Sequence, residues 1–171
     1  MTEKVQEGFG YDGKGVVLWV PAIADPSAPT AAELSAGTVV PLTYGLYGPS
    51  GYALEPTIEE RNSERYTLDQ VLTAEGRKKF KLTLLYVYNR ETPTEAEGVL
   101  GVPGVPGFVV HALGYDNGHV FEAGDKINDV VPVRTASSVD VPATANTDAH
   151  KRTVPSITGK VEQEVTVAAG A

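Results

Sequence analysis

The chain has 171 residues and no cysteine, and its 22 acidic against 14 basic side chains give a net charge of −8. The lack of cysteine excludes a disulfide framework, a thiol nucleophile and a cysteine-ligated zinc ion. The acidic balance repels polyanions and disfavours tight binding of nucleic acid.

The distribution of turn residues predicts a mainly β fold. The 18 glycines and 12 prolines are scattered and divide the chain into short β-prone segments. This pattern is typical of an antiparallel β-sandwich or barrel with roughly eight to ten strands. We expect a single β-rich domain over residues 1–171, with a flexible N-terminal arm (1–15), extended loops and a C-terminal tail (168–171).

The first predicted elements are an apolar strand at residues 16–20 and one short flanking helix at about residues 31–36. Pro29 precedes the helix, and Thr30 with Glu33 three residues later forms the pattern of a capping box. Gly37 follows the helix and predicts a left-handed exit. This helix is the only one that the sequence predicts.

Strands follow in the middle of the chain. Residues 38–44 and 80–88 are predicted strands, and residues 64–72 alternate as a third, with residues 74–77 as a hairpin turn before 80–88. A helix over 68–75 competes with this interpretation. Residues 89–107 are charged and then rich in Val-Pro-Gly, which predicts a long mobile connection without a packed element.

The C-terminal half predicts further extended structure. Strands at 108–113 and 119–122 flank Asn117-Gly118, the strongest short-range hairpin signal, and Pro132 assigns the strand at 130–134 to an edge or bulge position. Residues 135–149 suit a surface excursion. Extended structure resumes at 151–157, and residues 160–167 alternate as a half-buried strand.

Two groups of residues are candidates for contacts with other molecules. Tyr44, Tyr47 and Tyr52 lie among glycines, where aromatic rings can stack on a sugar or on another subunit. The other group is the one dense basic patch, which in an acidic chain suits the acidic surface of a sister subunit; its members are Arg77, Lys78, Lys79 and Lys81.

Catalytic and metal-binding patterns are weak. His111, His119 and His150 match no zinc spacing, so we expect structural roles for them. The carboxylates between Glu59 and Glu64 allow a hydrolase interpretation, but alternating charge is typical of a solvated or subunit-facing surface. We expect no enzyme and no cofactor, and no membrane partner because no apolar run approaches ~18 residues.

Three stretches resemble a known family. The front end, VVLWVPAIADPSAPTAAELSAGT, is similar to the N-terminal segment of major tail tube proteins of long-tailed actinobacteriophages, within the siphophage tail tube and type VI secretion tube-like superfamily. The central strand KKFKLTLLYVYN and a C-terminal hairpin ending near Val167 fit the same layout. The most specific stretch of the resemblance is the helix APTAAELSAG.

The resemblance implies a structural virion protein that assembles into stacked hexameric rings, which form the tail tube through which genomic DNA passes. Its partners would be itself, the tape measure and tail terminator proteins, and DNA that passes without specific binding. It would be assembled in the host cytoplasm and located in the virion tail. The alternative is a monomeric β-sandwich binding module, either a virion decoration or a carbohydrate-binding domain, which would use the tyrosines between Tyr44 and Tyr52.

Overall fold

A computed structural model describes residues 7–67 and 69–170, which form two antiparallel sheets and two short helices. The two sheets form a sandwich and do not close into a barrel, so the prediction of a mainly β, antiparallel fold is confirmed. The elements in chain order are β1 (Gly15–Val20), α1 (Ala31–Leu34), β2 (Val40–Pro41), β3 (Tyr52–Ser63), β4 (Leu72–Val87), α2 (Glu95–Leu100), β5 (Pro106–Leu113), β6 (Lys126–Arg134), β7 (Val139–Asp140), β8 (His150–Thr153), β9 (Ser156–Ile157) and β10 (Glu162–Thr166).

Sheet 1, with strand order β10-β6-β5-β1-β2 and β9 beside β6, is buried on both faces. On one face Val16, Leu18 and Val20 of β1 pack with Leu34 of α1. On the other face Val17 and Trp19 pack against sheet 2, whose strand order is β3-β4-β8-β7, and against α2. Burial on both faces explains why β1 is a continuous apolar run and does not alternate.

Helix α1 has the predicted capping box. The hydroxyl of Thr30 accepts from the Glu33 amide at 3.3 Å, and the Glu33 carboxylate accepts from the Thr30 amide at 2.9 Å. The helix ends at Leu34, earlier than predicted, because the Ser35 hydroxyl donates to the Ala31 carbonyl at 2.8 Å. The predicted left-handed exit at Gly37 is wrong, because Gly37 is not among the glycines with a positive φ. The hydrogen bond of Ser35 closes the helix without a left-handed residue.

The prediction of a single helix is wrong, because α2 lies within the stretch 89–107 that was expected to be unpacked. The Thr94 hydroxyl caps α2 by accepting from the Glu97 amide at 3.2 Å, while Ala96 and Leu100 are buried beside Tyr86. The spacing Thr94-x-x-Glu97 repeats that of Thr30-x-x-Glu33. The capping pattern was therefore present in the sequence, but the neighbouring Val-Pro-Gly units favoured the prediction of a loop.

The predicted strand at 64–72 and the turn at 74–77 are also wrong. β3 pairs with β4 over its whole length, and the chain reverses between Ser63 and Leu72. Residues 72–75 lie in β4, which also rules out the competing helix there; Leu68 lies outside the described residues. Gly76 forms a β-bulge, where a Cβ would lie 2.4 Å from the Glu59 carbonyl oxygen, so its glycine signals a bulge and no turn.

The segment between β5 and β6 differs from the predicted hairpin. Asn117-Gly118 does form a turn, in which the His119 amide donates to the Asp116 carbonyl at 2.9 Å. Residues 119–122 form no strand, because Phe121 instead packs onto the α1 side of sheet 1. The edge position predicted from Pro132 is wrong, because β6 has β5 on one side and β9 and β10 on the other. Pro132 lies at the gap between the pairings of β6 with β9 and with β10, where its missing N–H removes no ladder bond.

The Thr30 cap gives a stability prediction. Thr30→Ala removes the acceptor of the Glu33 amide and should lower the free energy of unfolding by about 1 kcal/mol in urea titrations. The matched control is Thr92→Ala, since Thr92 is exposed and its hydroxyl makes no hydrogen bond within the described ranges. Equal stability of the two variants would contradict a stabilising role for the cap.

Candidate functional site

The β3–β4 pair extends beyond the core as a hairpin. In β4, Leu82, Leu84 and Tyr86 are fully buried. Residues 72–81 of the same strand are exposed, except that Gly76 and Phe80 are half-buried. Residues 55–62 of β3 are exposed throughout. We call residues 55–81 the projecting hairpin. An isolated two-stranded ribbon of this length is at best marginally stable in water, which favours a partner surface.

The projecting hairpin presents apolar side chains to solvent. Ile58 is 45% exposed, and Tyr66 at the reversal is fully exposed, with Val71 and Leu72 about half exposed beside it. The outer edge of β3 also has no strand paired with it among the described residues, and an unpaired edge is a template for pairing with another chain. Both features are typical of a surface that contacts other protein chains.

The base of the hairpin is fixed by a polar cluster around Asp129 of β6. The Asp129 carboxylate accepts from the Tyr52 hydroxyl at 3.2 Å and from the Gln163 amide at 3.1 Å, and it lies 3.3 Å from His111 Nδ1. The Tyr52 ring stacks on His111 with centroids 4.1 Å apart. The cluster therefore links β3 of sheet 2 to three strands of sheet 1.

Burial and hydrogen bonding shift the pKa values of two groups in this cluster. Burial acts to raise the pKa of the Asp129 carboxyl, but hydrogen bonds with His111 and Gln163 outweigh it and leave that pKa below its ordinary value. Burial and the nearby Asp129 charge raise the pKa of the Tyr52 phenol, which therefore stays protonated and donates. Asp129 accordingly acts as an ionised acceptor near neutral pH.

The three candidate tyrosines contact different parts of the chain. Tyr44 is 69% exposed, with its phenol oxygen beside Gly118. Tyr47 stacks on His150 with centroids 3.9 Å apart and nearly parallel rings. Tyr52 lies in the Asp129 cluster. Of the three, Tyr44 therefore offers the largest free aromatic surface.

The basic patch lies on β4, within the projecting hairpin. Its members Arg77, Lys78, Lys79 and Lys81 are all exposed, while the charged side chains of the facing strand β3 are mainly acidic, among them Glu55 opposite Lys81. One ion pair forms inside the patch's own strand, from Lys78 to Glu75 at 3.5 Å. The hairpin therefore has one basic strand and one acidic strand, the latter at the sheet edge.

The histidines each have a partner within the fold. His111 joins the Asp129 cluster, and His119 lies 2.7 Å from Asp125 and stacks on Tyr115. Within residues 7–67 and 69–170 no group of three potential metal ligands occurs. Glu59 and Glu60 lie on the exposed part of β3, where Glu60 lines a shallow open recess together with Ile58 and Glu75. No helix of the described chain is long and apolar enough to cross a membrane.

Taken together, the sandwich and the projecting hairpin define a structural β-protein whose most exposed element suits contacts between chains. Residues 4–170 match the family described as phage tail tube protein. The chain belongs to this family, and is thus a structural component of the virion tail; the resemblance inferred from the front end is confirmed at that level. No curated protein matches the sequence.

Sequence reasoning missed Asp129 and the projecting hairpin. Asp129 gives no local signal, because its partners come from strands far apart in the chain. The hairpin was detectable in part, since β3 has β-branched and apolar residues such as Thr57 and Ile58 between its charges. The turn was predicted at the wrong place because Gly76, which lies within β4, was interpreted as a turn residue.

The Asp129 cluster gives a second prediction. Tyr52→Phe removes the phenol donor while keeping the ring stack, and should lower the free energy of unfolding by about 1 kcal/mol. Tyr47→Phe is the matched control, because the Tyr47 hydroxyl makes no hydrogen bond among the residues described. If urea unfolding finds the two variants equally stable, the Tyr52–Asp129 bond contributes nothing.

A third prediction concerns pH. A carboxyl with a lowered folded-state pKa stabilises the protein above its unfolded-state pKa of about 4, and this contribution is lost as pH falls through the folded-state value. Asp129→Asn should therefore be less stable than the parent at pH 7, with the difference shrinking in acid. Asp148→Asn, at an exposed position, serves as the control. A difference that is constant from pH 7 to strong acid would contradict the assignment.

Proposed function

We propose that this chain forms stacked hexameric rings that build the tail tube of a long-tailed actinobacterial phage, the conduit for genome ejection. Family membership supports the tail tube, and the projecting hairpin is the observation that carries the assembly step. A ribbon with an exposed apolar tip and an unpaired edge gains most by binding another copy.

The hairpin also supports the ring geometry. A hairpin that binds a different surface of the next copy makes a heterologous contact, which runs head to tail between copies. Heterologous contacts close into rings when the rotation between subunits allows it. In a closed ring the edge of β3 finds a strand in the neighbouring subunit.

The charges of the hairpin fit such a contact. The basic patch on β4 complements acidic surface on a sister subunit, and the acidic strand β3 complements basic surface. We propose Arg77, Lys78, Lys79 and Lys81 as interface residues on this basis. We also propose Tyr44, Tyr47 and Tyr52 for the subunit interface, with Tyr44 as the main contact and the other two acting by fixing the loop.

The net charge of −8 supports a DNA conduit. Carboxylates facing a lumen would repel phosphates and let DNA slide, whereas a basic lining would hold it through counterion release. The proposed partners are copies of this chain, the tape measure and tail terminator proteins, and DNA without specific binding. Assembly would take place in the host cytoplasm, without cofactor or catalysis.

The whole chain would act as one domain in this assembly. We propose that the N-terminal arm (1–15), the C-terminal tail (168–171) and the loop preceding β5 make contacts between stacked rings. Residues 7–14 are exposed and precede β1, so their side chains are free for contacts with another ring.

Assembly is tested by negative-stain microscopy of the concentrated full-length protein, where we expect rings or tubes with sixfold symmetry. The double variant Ile58→Asp, Tyr66→Asp should abolish them, because it places charge on the exposed apolar surface of the hairpin. Its unfolding midpoint should stay close to that of the parent, since neither side chain is in the core.

The matched control is Val120→Asp, at a 66% exposed position in the segment between β5 and β6. It should still assemble. Monomers of the parent protein under all salt conditions, even with tail components added to initiate assembly, would contradict the proposal. Glycan-array binding that is lost in Tyr47→Ala would then favour the monomeric binding module.

A further inference from the structure

An open groove lies at the base of the projecting hairpin, between β4 and the segment from β8 to β10. Its volume is about 850 Å³, and apolar side chains from both walls line it, among them Phe80, Val154 and Ile157. Lysines surround this apolar surface: Lys78, Lys79, Lys81 and Lys160. We call this site the lysine groove.

The lysine groove has unused positive charge. Lys160 pairs with Glu162 at 2.8 Å and Lys78 with Glu75 at 3.5 Å. None of the ion pairs between described residues involves Lys79 or Lys81. In a chain with a net charge of −8, this combination of free lysines and apolar walls fits an occupant that has both carboxylates and apolar side chains.

The N-terminal arm of the chain has this chemistry. In an extended conformation Glu7, Phe9 and Tyr11 share one face, while only glycines lie between them on the other face. Phe9 is 64% exposed and Tyr11 48% exposed, and Asp12 adds a second carboxylate. Residues 7–11 therefore have their side chains on a single face and are narrow enough to lie in a groove, and Asp12 follows on the opposite face.

The arm is only lightly held in its own chain. Among residues 7–14, the one backbone hydrogen bond to the sandwich is that of the Gly114 amide, which donates to the Lys14 carbonyl at 2.8 Å, and Lys14 pairs with Asp116. Phe9 lies near Gly114, away from the lysine groove. Within a single chain the arm therefore lies near Gly114, while the lysine groove, which has the complementary chemistry, stays open.

We propose that the lysine groove binds the acidic, aromatic arm segment, residues 7–12, of a second copy of this chain. This inference rests on the proposed self-assembly and names one of its contacts. Phe9 and Tyr11 enter the apolar part of the groove, and Glu7 and Asp12 pair with Lys79 and Lys81. The contact is heterologous, so each copy gives one arm and receives one, as a repeating assembly requires.

Disulfide trapping tests the contact directly, because the chain has no cysteine of its own. Full-length Phe9→Cys and Val154→Cys chains are mixed in equal amounts, concentrated and oxidised. We expect a disulfide joining the two different chains, seen on a non-reducing gel and located by mass spectrometry. Val120→Cys replaces Val154→Cys as the control, since Val120 is more exposed but lies outside the groove.

The outcomes separate this proposal from the proposed function. Rings or tubes that form without the 9–154 disulfide, or with equal trapping at position 120, overturn the groove proposal and leave tube assembly standing. Absence of any assembly at high concentration overturns both. A 9–154 disulfide formed only within one chain, in a double-cysteine variant, also overturns binding of a second copy.

A binding measurement provides a separate test of the charge pairing. A fluorescent peptide of residues 1–14 is titrated with full-length protein, and its anisotropy is followed. Lys79→Glu, Lys81→Glu should weaken binding about tenfold, and added salt should weaken binding to the parent protein. Lys126→Glu, an exposed lysine outside the groove, should have no effect. Equal affinities of all three proteins would overturn the pairing.

Discussion

The continuity of β4 couples the core of this protein to its projecting hairpin. One strand, Leu72–Val87, has its C-terminal half in the core and its N-terminal half in solvent. Leu82, Leu84 and Tyr86 are buried between the sheets, so the packing that stabilises the sandwich also sets the direction in which the projecting hairpin leaves it.

Sheet 1 supplies the rigid support for this strand. Its central strands are buried on both faces, by α1 on one side and by sheet 2 with α2 on the other. The Asp129 cluster adds a directional contact, because hydrogen bonds to Tyr52 and His111 need a particular alignment of the sheets. Apolar packing provides the stability of the sandwich, and the polar cluster specifies how β3 leaves it.

The sequence predicted elements whose signals are local. The capping box at Thr30 and Glu33, the turn at Asn117-Gly118 and the strand at β1 all depend on residues close together in the chain. The failures involve long-range causes. Gly76 is a bulge because the Glu59 carbonyl occupies the space of its Cβ, and Phe121 leaves its predicted strand to cover sheet 1. No local pattern contains that information.

The sequence predicted which residues belong to the candidate site, but it did not predict how they are arranged. The basic residues from Arg77 to Lys81 were recognised, but their place on a projecting strand required the β3–β4 pairing. Tyr44, Tyr47 and Tyr52 looked like one aromatic group, whereas the fold gives each a different contact. The lysine groove is formed by segments that are distant in sequence, so the sequence alone could not predict it.

We propose the projecting hairpin as the element through which copies of this chain assemble. Amide hydrogen exchange, compared between dilute monomer and the concentrated assembly, measures this directly. Amides of the outer edge of β3 should become protected on assembly, while those of β1 and β5 should change little because they are already buried. Unchanged exchange along β3 in a sample that has assembled would contradict the claim.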